Sequence, residues 1–405
     1  MGEGVEKGLL KAKTSEDVVP DYLEDNSVWE TGGMQMTDHQ TIKHTAAGAA
    51  PNMNIGFGIV GGGLVAPFHL NAIKDSRGGN AIGVFDVARE KAMQVAERYA
   101  IRVFSSLQEM LDDKNVNVVC VATPNHLHRD AVIQAATAGK HVLTEKPPAM
   151  SLRDTDEMIA VCNKANVKFG CFVQCRVRKA IQAMKFAVDS GRFGKLLHAD
   201  AYMKWFRPQE YYTSDGWRGQ KKCGSGVTVA QGFHYIDLLQ YLAGQASSVD
   251  ATMTNIGHPG IRVEDDVTAH IDFKCGAKGV VQLSTALWPG TDVRIEIHGT
   301  NGTAVMIGEK IQTWKFRDER PEDEQIRFLG NPSQATGAGG AADFGHRDHT
   351  VVVQDMIDSI KSNRDVVIPV TSVRPTLEIV LAMYHSAKYN RAITLPISDD
   401  DSVWN

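Results

Sequence analysis

Residues 54–66, Asn54-Ile-Gly-Phe-Gly-Ile-Val-Gly-Gly-Gly-Leu-Val-Ala66, decide the fold. The apolar run from Ile55 to Val60 reads as a buried strand, and the glycines as a turn into a helix that starts near Leu64. Gly61-x-Gly63-x-x-Ala66 fits the dinucleotide-binding fingerprint, with alanine in its permitted third place. Gly61 supplies the tight turn, Gly63 a backbone that a pyrophosphate can approach, and Ala66 a close helix–strand contact. The backbone N–H groups of Leu64, Val65 and Ala66 then face the phosphates at the positive end of the helix. Glycines alone are a weak signal in a chain with 37 of them. Context strengthens them. The run Ala81-Ile-Gly-Val-Phe85 ends in Asp86, about twenty residues past the turn, where a carboxylate accepts both ribose hydroxyls of NAD. That carboxylate repels the 2′-phosphate of NADP, a preference that nearby Arg89 softens. NAD is the expected cofactor, ahead of NADP.

At 405 residues the chain has room for two domains and a large core. Its 43% hydrophobic and 22% charged content is ordinary for a globular protein, and a net charge of −5 provides no basic field for nucleic acid or membrane. Neither partner is expected. Six cysteines are scattered, several in apolar runs, which suits buried thiols in a reducing compartment. Cys171-x-x-x-Cys175 is the one close pair and has no second pair downstream, so no metal site is expected. Residues 1–50 hold neither a long apolar run nor a cleavage signature, and a cytoplasmic location is the default.

From Asn54 onward, strand and helix alternate. Strands are expected at 81–85, 101–104, 116–121, 141–143 and 167–173. Helices are expected at 88–99, 126–138 and 151–166, the last capped by Ser151-x-x-Asp154. Such alternation implies a parallel sheet with right-handed crossovers, its ligands gathered at the strand ends Gly61, Asp86, Thr123 and Glu145. After a helix at 179–190 the character changes to strand runs at 195–205, 248–256, 267–273, 279–287, 293–298 and 303–307, with an Asn301-Gly302 turn between the last two. That pattern indicates an antiparallel sheet. Helices at 232–242, 348–362 and 374–389 complete it, with a long excursion at 318–346. The expected fold class is α/β: an N-terminal Rossmann dinucleotide-binding domain (52–173) followed by a C-terminal α+β substrate-binding and oligomerisation domain (174–405) with a large open, mainly antiparallel sheet. Residues 1–51 form an extension, either a tail or an inter-subunit arm anchored by Tyr22 and Trp29.

Glu145-Lys146-Pro147 ends the fifth strand, where a nicotinamide lies if its pyrophosphate rests on Gly61 to Gly63. A lysine there can bond a substrate hydroxyl and stabilise the oxyanion that forms as hydride leaves. A second constellation runs from Trp217-Arg218 through Gly224-Ser-Gly226 to Gln231-Gly232-Phe-His234-Tyr-Ile-Asp237. His234 opens a helix and can serve as general base, with Asp237 on the same face to fix its tautomer.

Together these motifs resemble the glucose-fructose oxidoreductase, inositol dehydrogenase and MocA family. Val263-Glu-Asp265, Gly276-Ala-Lys-Gly279 and Glu296-Ile-His-Gly299, in that order, strengthen the resemblance, which covers about residues 52–396. It implies NAD(P)-dependent oxidation or reduction of sugar, sugar-derivative or cyclitol hydroxyls, and homodimers or homotetramers packed through the open sheet. It implies Lys146 and His234 as the catalytic pair. It puts Thr123, Pro124, Asn125 and His126 on the cofactor cleft, with Glu145 and Arg176 beside them. Trp205, Arg207, Trp217, Arg218 and Gln231 join Arg176, Lys146 and His234 around the substrate.

The sequence departs from the family at Ala230, where a carboxylate or Asn is common four residues before the histidine, and at Cys175, where Asn is common. Lys146 and His234 then suffice alone, or Gln231 or a substrate carboxylate supplies the missing contact, or catalysis is weakened. With one acidic neighbour fewer, His234 is expected to titrate near neutral pH. Two further readings stay open: a lyase or glycosidase that oxidises transiently on held NAD, and a non-catalytic NAD(P)-binding regulator of the same fold.

Overall fold

The computed structural model describes residues 54–330, 340, 345–398 and 402–404. The arm or tail reading of residues 1–51, with Tyr22 and Trp29, lies outside the described residues.

Six strands form the first sheet: β1 (Ile55–Val60), β2 (Gly79–Phe85), β3 (Arg102–Val103), β4 (Val118–Val121), β5 (His141–Thr144) and β6 (Phe169–Cys171). All pair in parallel, in the order β3-β2-β1-β4-β5-β6. The order reverses between β1 and β4, the crevice where doubly wound sheets bind ligands. β1 and β4 are buried along their whole length, as strands covered by helices on both faces must be. Ser151 caps the helix Leu152–Lys164, its hydroxyl accepting the Asp154 N–H at 3.0 Å. The first helix, Ala66–Asp75, starts later than Leu64, with Pro67 in its first turn, where no donor is needed.

The second sheet has eight strands: β7 (Leu196–Lys204), β8 (Ala246–Thr254), β9 (Asp266–Phe273), β10 (Lys278–Ser284), β11 (Arg294–Gly299), β12 (Gly302–Ile307), β13 (Lys310–Phe316) and β14 (Ile393–Thr394). Their order is β13-β12-β11-β7-β10-β9-β8-β14, antiparallel throughout except for the parallel β7–β10 pair. Helices Phe233–Ala243 and Val370–Tyr389 pack on one face of β7 and β8. β9 alternates accordingly. Val267, Ala269, Ile271 and Phe273 are buried, while Thr268, His270 and Asp272 are half-buried or exposed.

Several elements depart from expectation, the short helices Leu107–Asp112 and Gln209–Thr213 and strand β14 among them. β13 was not anticipated, although Ile311, Trp314 and Phe316 bury its inner side after a tight turn at Gly308. The last helix begins at Val370 rather than 374 and keeps Pro375 inside it, because burial of Val370, Val373 and Leu377 outweighs the lost backbone bond. The excursion at 318–346 includes a short helix, Glu322–Arg327; residues 331–339 and 341–344 lie outside the described set.

Candidate active site

The glycine turn is built as its sequence demands. Gly61 has φ +106°, and its N–H donates to Phe85 O at 2.8 Å. A Cβ there would lie 2.5 Å from Ala122 O, so the turn packs closely on the end of β4. Gly63 is the opposite case: a Cβ would meet nothing within 4 Å. Its missing side chain leaves open space above the helix N-terminus, the vacancy a pyrophosphate needs. Asp86 spans the turn, Oδ2 accepting Gly62 N–H at 2.7 Å and Oδ1 accepting Ala88 N–H at 2.8 Å. These features fit a dinucleotide.

A cleft of about 420 Å³ starts at this turn. Gly61, Gly63, Leu64, Val65 and Asp86 line its first part, then Thr123, Pro124 and Asn125, then Glu145 and Lys146. Its far part is lined by Trp205, Arg207, Trp217, Arg218, Gln231 and His234. The structure thus brings most residues of both expected sets into one cleft.

Four expected residues are not on it. Ala66 is fully buried and serves helix packing alone. Arg89, first in its helix, points to solvent, and Lys91 lines the cleft instead. His126 is exposed on a 3-10 turn and lines a separate hollow beside Arg129. Arg176 is buried in a two-pronged ion pair with Asp237, at 2.7 and 2.6 Å, and also bonds Ser372. Asp237 also accepts from Thr376 at 2.8 Å. It is therefore committed to Arg176 and does not fix His234, a correction to the tautomer expected from helix spacing.

Lys146 and His234 both line the cleft and are half-buried. Lys146 Nζ donates to Ala230 O at 2.6 Å and more weakly to Val229 O at 3.4 Å. Burial lowers the Lys146 ammonium from its usual range, and Glu145 opposes the shift. Burial, then the Lys146 charge, pushes His234 well below 6.5, not near neutral pH as expected from sequence. The imidazole is therefore neutral, and its Nδ1 has no hydrogen-bond partner among the described residues. Glu145 is pulled both ways. Burial raises it, but His69, with Nε2 3.0 Å from Oε1, and the neighbouring His349 and Lys146 outweigh burial and hold it at about 2. The His69 contact is close yet off the direction of a hydrogen bond. His69, Glu145 and His349 each place one donor atom within 4.8 Å of the others.

Several lining residues were not expected. Gln174, Cys175 and Arg178 follow β6, so the strand-end rule could have reached them. Arg178 bonds Asp348 at 2.9 Å and lies 3.1 Å from Glu309. Tyr211 accepts from Gln231 Nε2 at 2.7 Å, and Arg218 lies over the Tyr211 and Trp217 rings at 5.1 and 4.8 Å. Asp348 and His349 arrive from the helix Arg347–Ser362, and no local signal announces them.

Comparison with known proteins agrees with this geometry. Residues 55–173 match the family model for the oxidoreductase family with NAD-binding Rossmann fold, and residues 181–305 match that for the GFO/IDH/MocA C-terminal domain. A 1,5-anhydro-D-fructose reductase of Ensifer adhaerens is 29% identical over 264 residues, 64% of this chain and 77% of the relative. A myo-inositol 2-dehydrogenase of Thermotoga maritima is 27% identical over 281 residues, 67% of this chain and 80% of the relative. The WlbA dehydrogenase of Bordetella pertussis, solved with NADH and UDP-GlcNAcA, superposes with a TM-score of 0.76 at 30% identity, covering 85% of this chain and 99% of that one. Among the described residues, no helix is long and apolar enough to cross a membrane. The chain belongs to the GFO/IDH/MocA family of NAD-binding oxidoreductases.

Proposed function

We propose that this protein transfers a hydride between a ring carbinol of a sugar, sugar derivative or cyclitol and NAD, with Lys146 and His234 acting on the carbinol oxygen. One observation carries the substrate class. Along the cleft, buried polar atoms have no partner among the described residues: Trp205 Nε1, Arg218 Nε, Gln174 Oε1, Gln231 Oε1, Thr123 Oγ1 and His234 Nδ1. Two are pure donors, two pure acceptors, and two serve either way. A buried polar group left unpaired costs about 1–3 kcal/mol, so such a set calls for a ligand that both donates and accepts at several points. A polyhydroxylated ring does so.

Bound NAD supplies the hydride acceptor, and the chain supplies the rest. Lys146, anchored on Ala230 O, turns its remaining N–H donors toward the carbinol oxygen and stabilises negative charge there. His234, held neutral, takes the hydroxyl proton at Nδ1. The backbone carbonyl of Ala230 occupies the role expected of a carboxylate, so the alanine does not leave Lys146 unheld. Asp86 favours NAD over NADP, because a 2′-phosphate beside a carboxylate costs several kcal/mol.

Absorbance of NADH across a panel of anhydrosugars, cyclitols and nucleotide sugars, with NAD or NADP, tests both statements. Turnover with NAD on at least one class is expected. A protein that binds NAD and oxidises none of them would overturn the enzyme reading in favour of a regulator. Product formation without net NADH would favour transient oxidation.

A further inference from the structure

Lys146 is fixed at both ends of a short arc. Its ammonium rests on the Val227–Ala230 turn of the second domain. Its own segment, from Glu145 to Met150, leaves β5 of the first. Something must set the gap between these two backbones, because a misplacement of about 1 Å in a catalytic group costs rate heavily.

Both backbones are held by one pair of aromatic rings. Trp404 is buried, and its Nε1 donates to Met150 O at 2.7 Å. Its ring packs against Tyr384, with centroids 4.8 Å apart and planes at 60°. The Tyr384 hydroxyl donates to Glu264 Oε1 at 2.7 Å. That oxygen also accepts the Thr228 N–H at 3.1 Å, and Glu264 O accepts the Val227 N–H at 3.0 Å. A Cβ on Gly226 would fall 2.2 Å from the Glu264 carboxylate, so this carboxylate presses directly on the turn. The Met150 side chain closes the loop, lying where a Cβ on Gly224 would meet its Cε at 2.5 Å. The path therefore runs from Trp404 to Met150 on one side. On the other it runs from Tyr384 through Glu264 to the turn whose carbonyls receive Lys146.

We infer that Tyr384 and Trp404 are positioning residues that set the separation between the Lys146 segment and the Val227–Ala230 turn. Neither touches the cleft, and neither is needed for NAD to dock on the glycine turn. The inference rests on the catalytic reading of Lys146 for its kinetic consequence, but its structural core stands without it.

Tyr384→Phe removes only the hydroxyl and keeps its ring, whereas Trp404→Phe removes the N–H donor together with the pyrrole part of the indole, so the tyrosine variant is the cleaner test. Hydrogen exchange on the full chain without substrate should show faster exchange in residues 145–150 and 224–231 for either variant, with the Gly61 turn unchanged. Where turnover is measurable, kcat should fall about tenfold with the KM for NAD unchanged. Burial is the largest influence holding Lys146 down, so a loosened brace should also move the Lys146 limb of the pH profile upward. Exchange that stays at wild-type levels in both segments would overturn the inference whatever the activity. A lowered melting temperature with unchanged exchange, kcat and pH limb would do the same, marking the pair as packing only. Absence of turnover in the wild type would instead strike the proposed function and leave the exchange result to judge the brace.

Discussion

Lys146 Nζ donates to the backbone carbonyl of Ala230 at 2.6 Å, joining the end of β5 to the turn before the His234 helix. A carbonyl holds the ammonium without neutralising it. A carboxylate would hold it more strongly and would also raise the proton affinity of His234.

Lys146→Met and His234→Ala should each lower kcat by roughly 10² to 10⁴, the usual contribution of a positioned acid–base group. NAD affinity, set at the glycine turn, should change little. Because His234 is depressed well below 6.5, the acid limb of the wild-type rate profile should lie below that pH. Ala230→Asp should move the limb upward. A limb that stays fixed in this variant would remove His234 as its source.

Gly63→Val separates folding from cofactor binding. The added side chain enters open space, so the melting temperature should hold within about 2 °C. NAD affinity, read by fluorescence titration, should fall at least about tenfold, because the branched side chain takes the room of the pyrophosphate. Gly61→Ala should do the reverse and unfold the domain more easily, since φ +106° and the approach to Ala122 O both oppose a Cβ.

Stability should decline as pH falls from 6.5. His349 is held down to about 3 by burial first and the charge of His69 second, and His234 is depressed by burial and Lys146. Between 6.5 and the folded value the unfolded chain binds protons that the native chain refuses. Each such histidine therefore removes about 1.4 kcal/mol per pH unit across that window. Urea midpoints at pH 7 and pH 5 measure the slope, and His349→Gln should flatten it. An unchanged slope would show that His349 takes its proton in the native state.

The outward face of the second sheet should carry an interface. Tyr202 and Gln282 pair across β7 and β10, and both, with Val280, are half-buried on the face away from the helices. Open sheets need cover. Light scattering should give a dimer or tetramer for the wild type, and a smaller species for Tyr202→Glu combined with Val280→Glu. A wild-type monomer at micromolar concentration would refute this.

Much of this was readable in the chain because the signals are local. Residues 55–60 are apolar and glycine-broken, Ser151 and Asp154 sit at capping distance, and Asp86 ends its strand on schedule. The cleft residues that escaped notice are those with no local signature. Asp348 and His349 come from a helix whose period says only that one face is buried. Arg176 misled because the resemblance puts it beside cofactor and substrate, while its pairing with Asp237 shows only in three dimensions. The same holds for Asp237, whose spacing from His234 is right while its partner lies elsewhere. The last helix was expected from 374 and begins at Val370, because the apolar residues that bury its first turn carry no helix-start signal.

The Arg176–Asp237 pair has one more consequence. Apart from a weak 3.5 Å contact to Gln240, its remaining side-chain bonds come from Ser372 and Thr376, on the Val370–Tyr389 helix. A nascent chain exposes this guanidinium and carboxylate well before that helix leaves the ribosome. Until then neither charge can be sealed from water, and the edge of β8 waits for β14. The nucleotide-binding half waits as well, because helix Arg347–Ser362 packs on its first helix and Ile368 O accepts the Cys171 N–H of β6, so both halves stay open to chaperones and proteases until the last helices arrive.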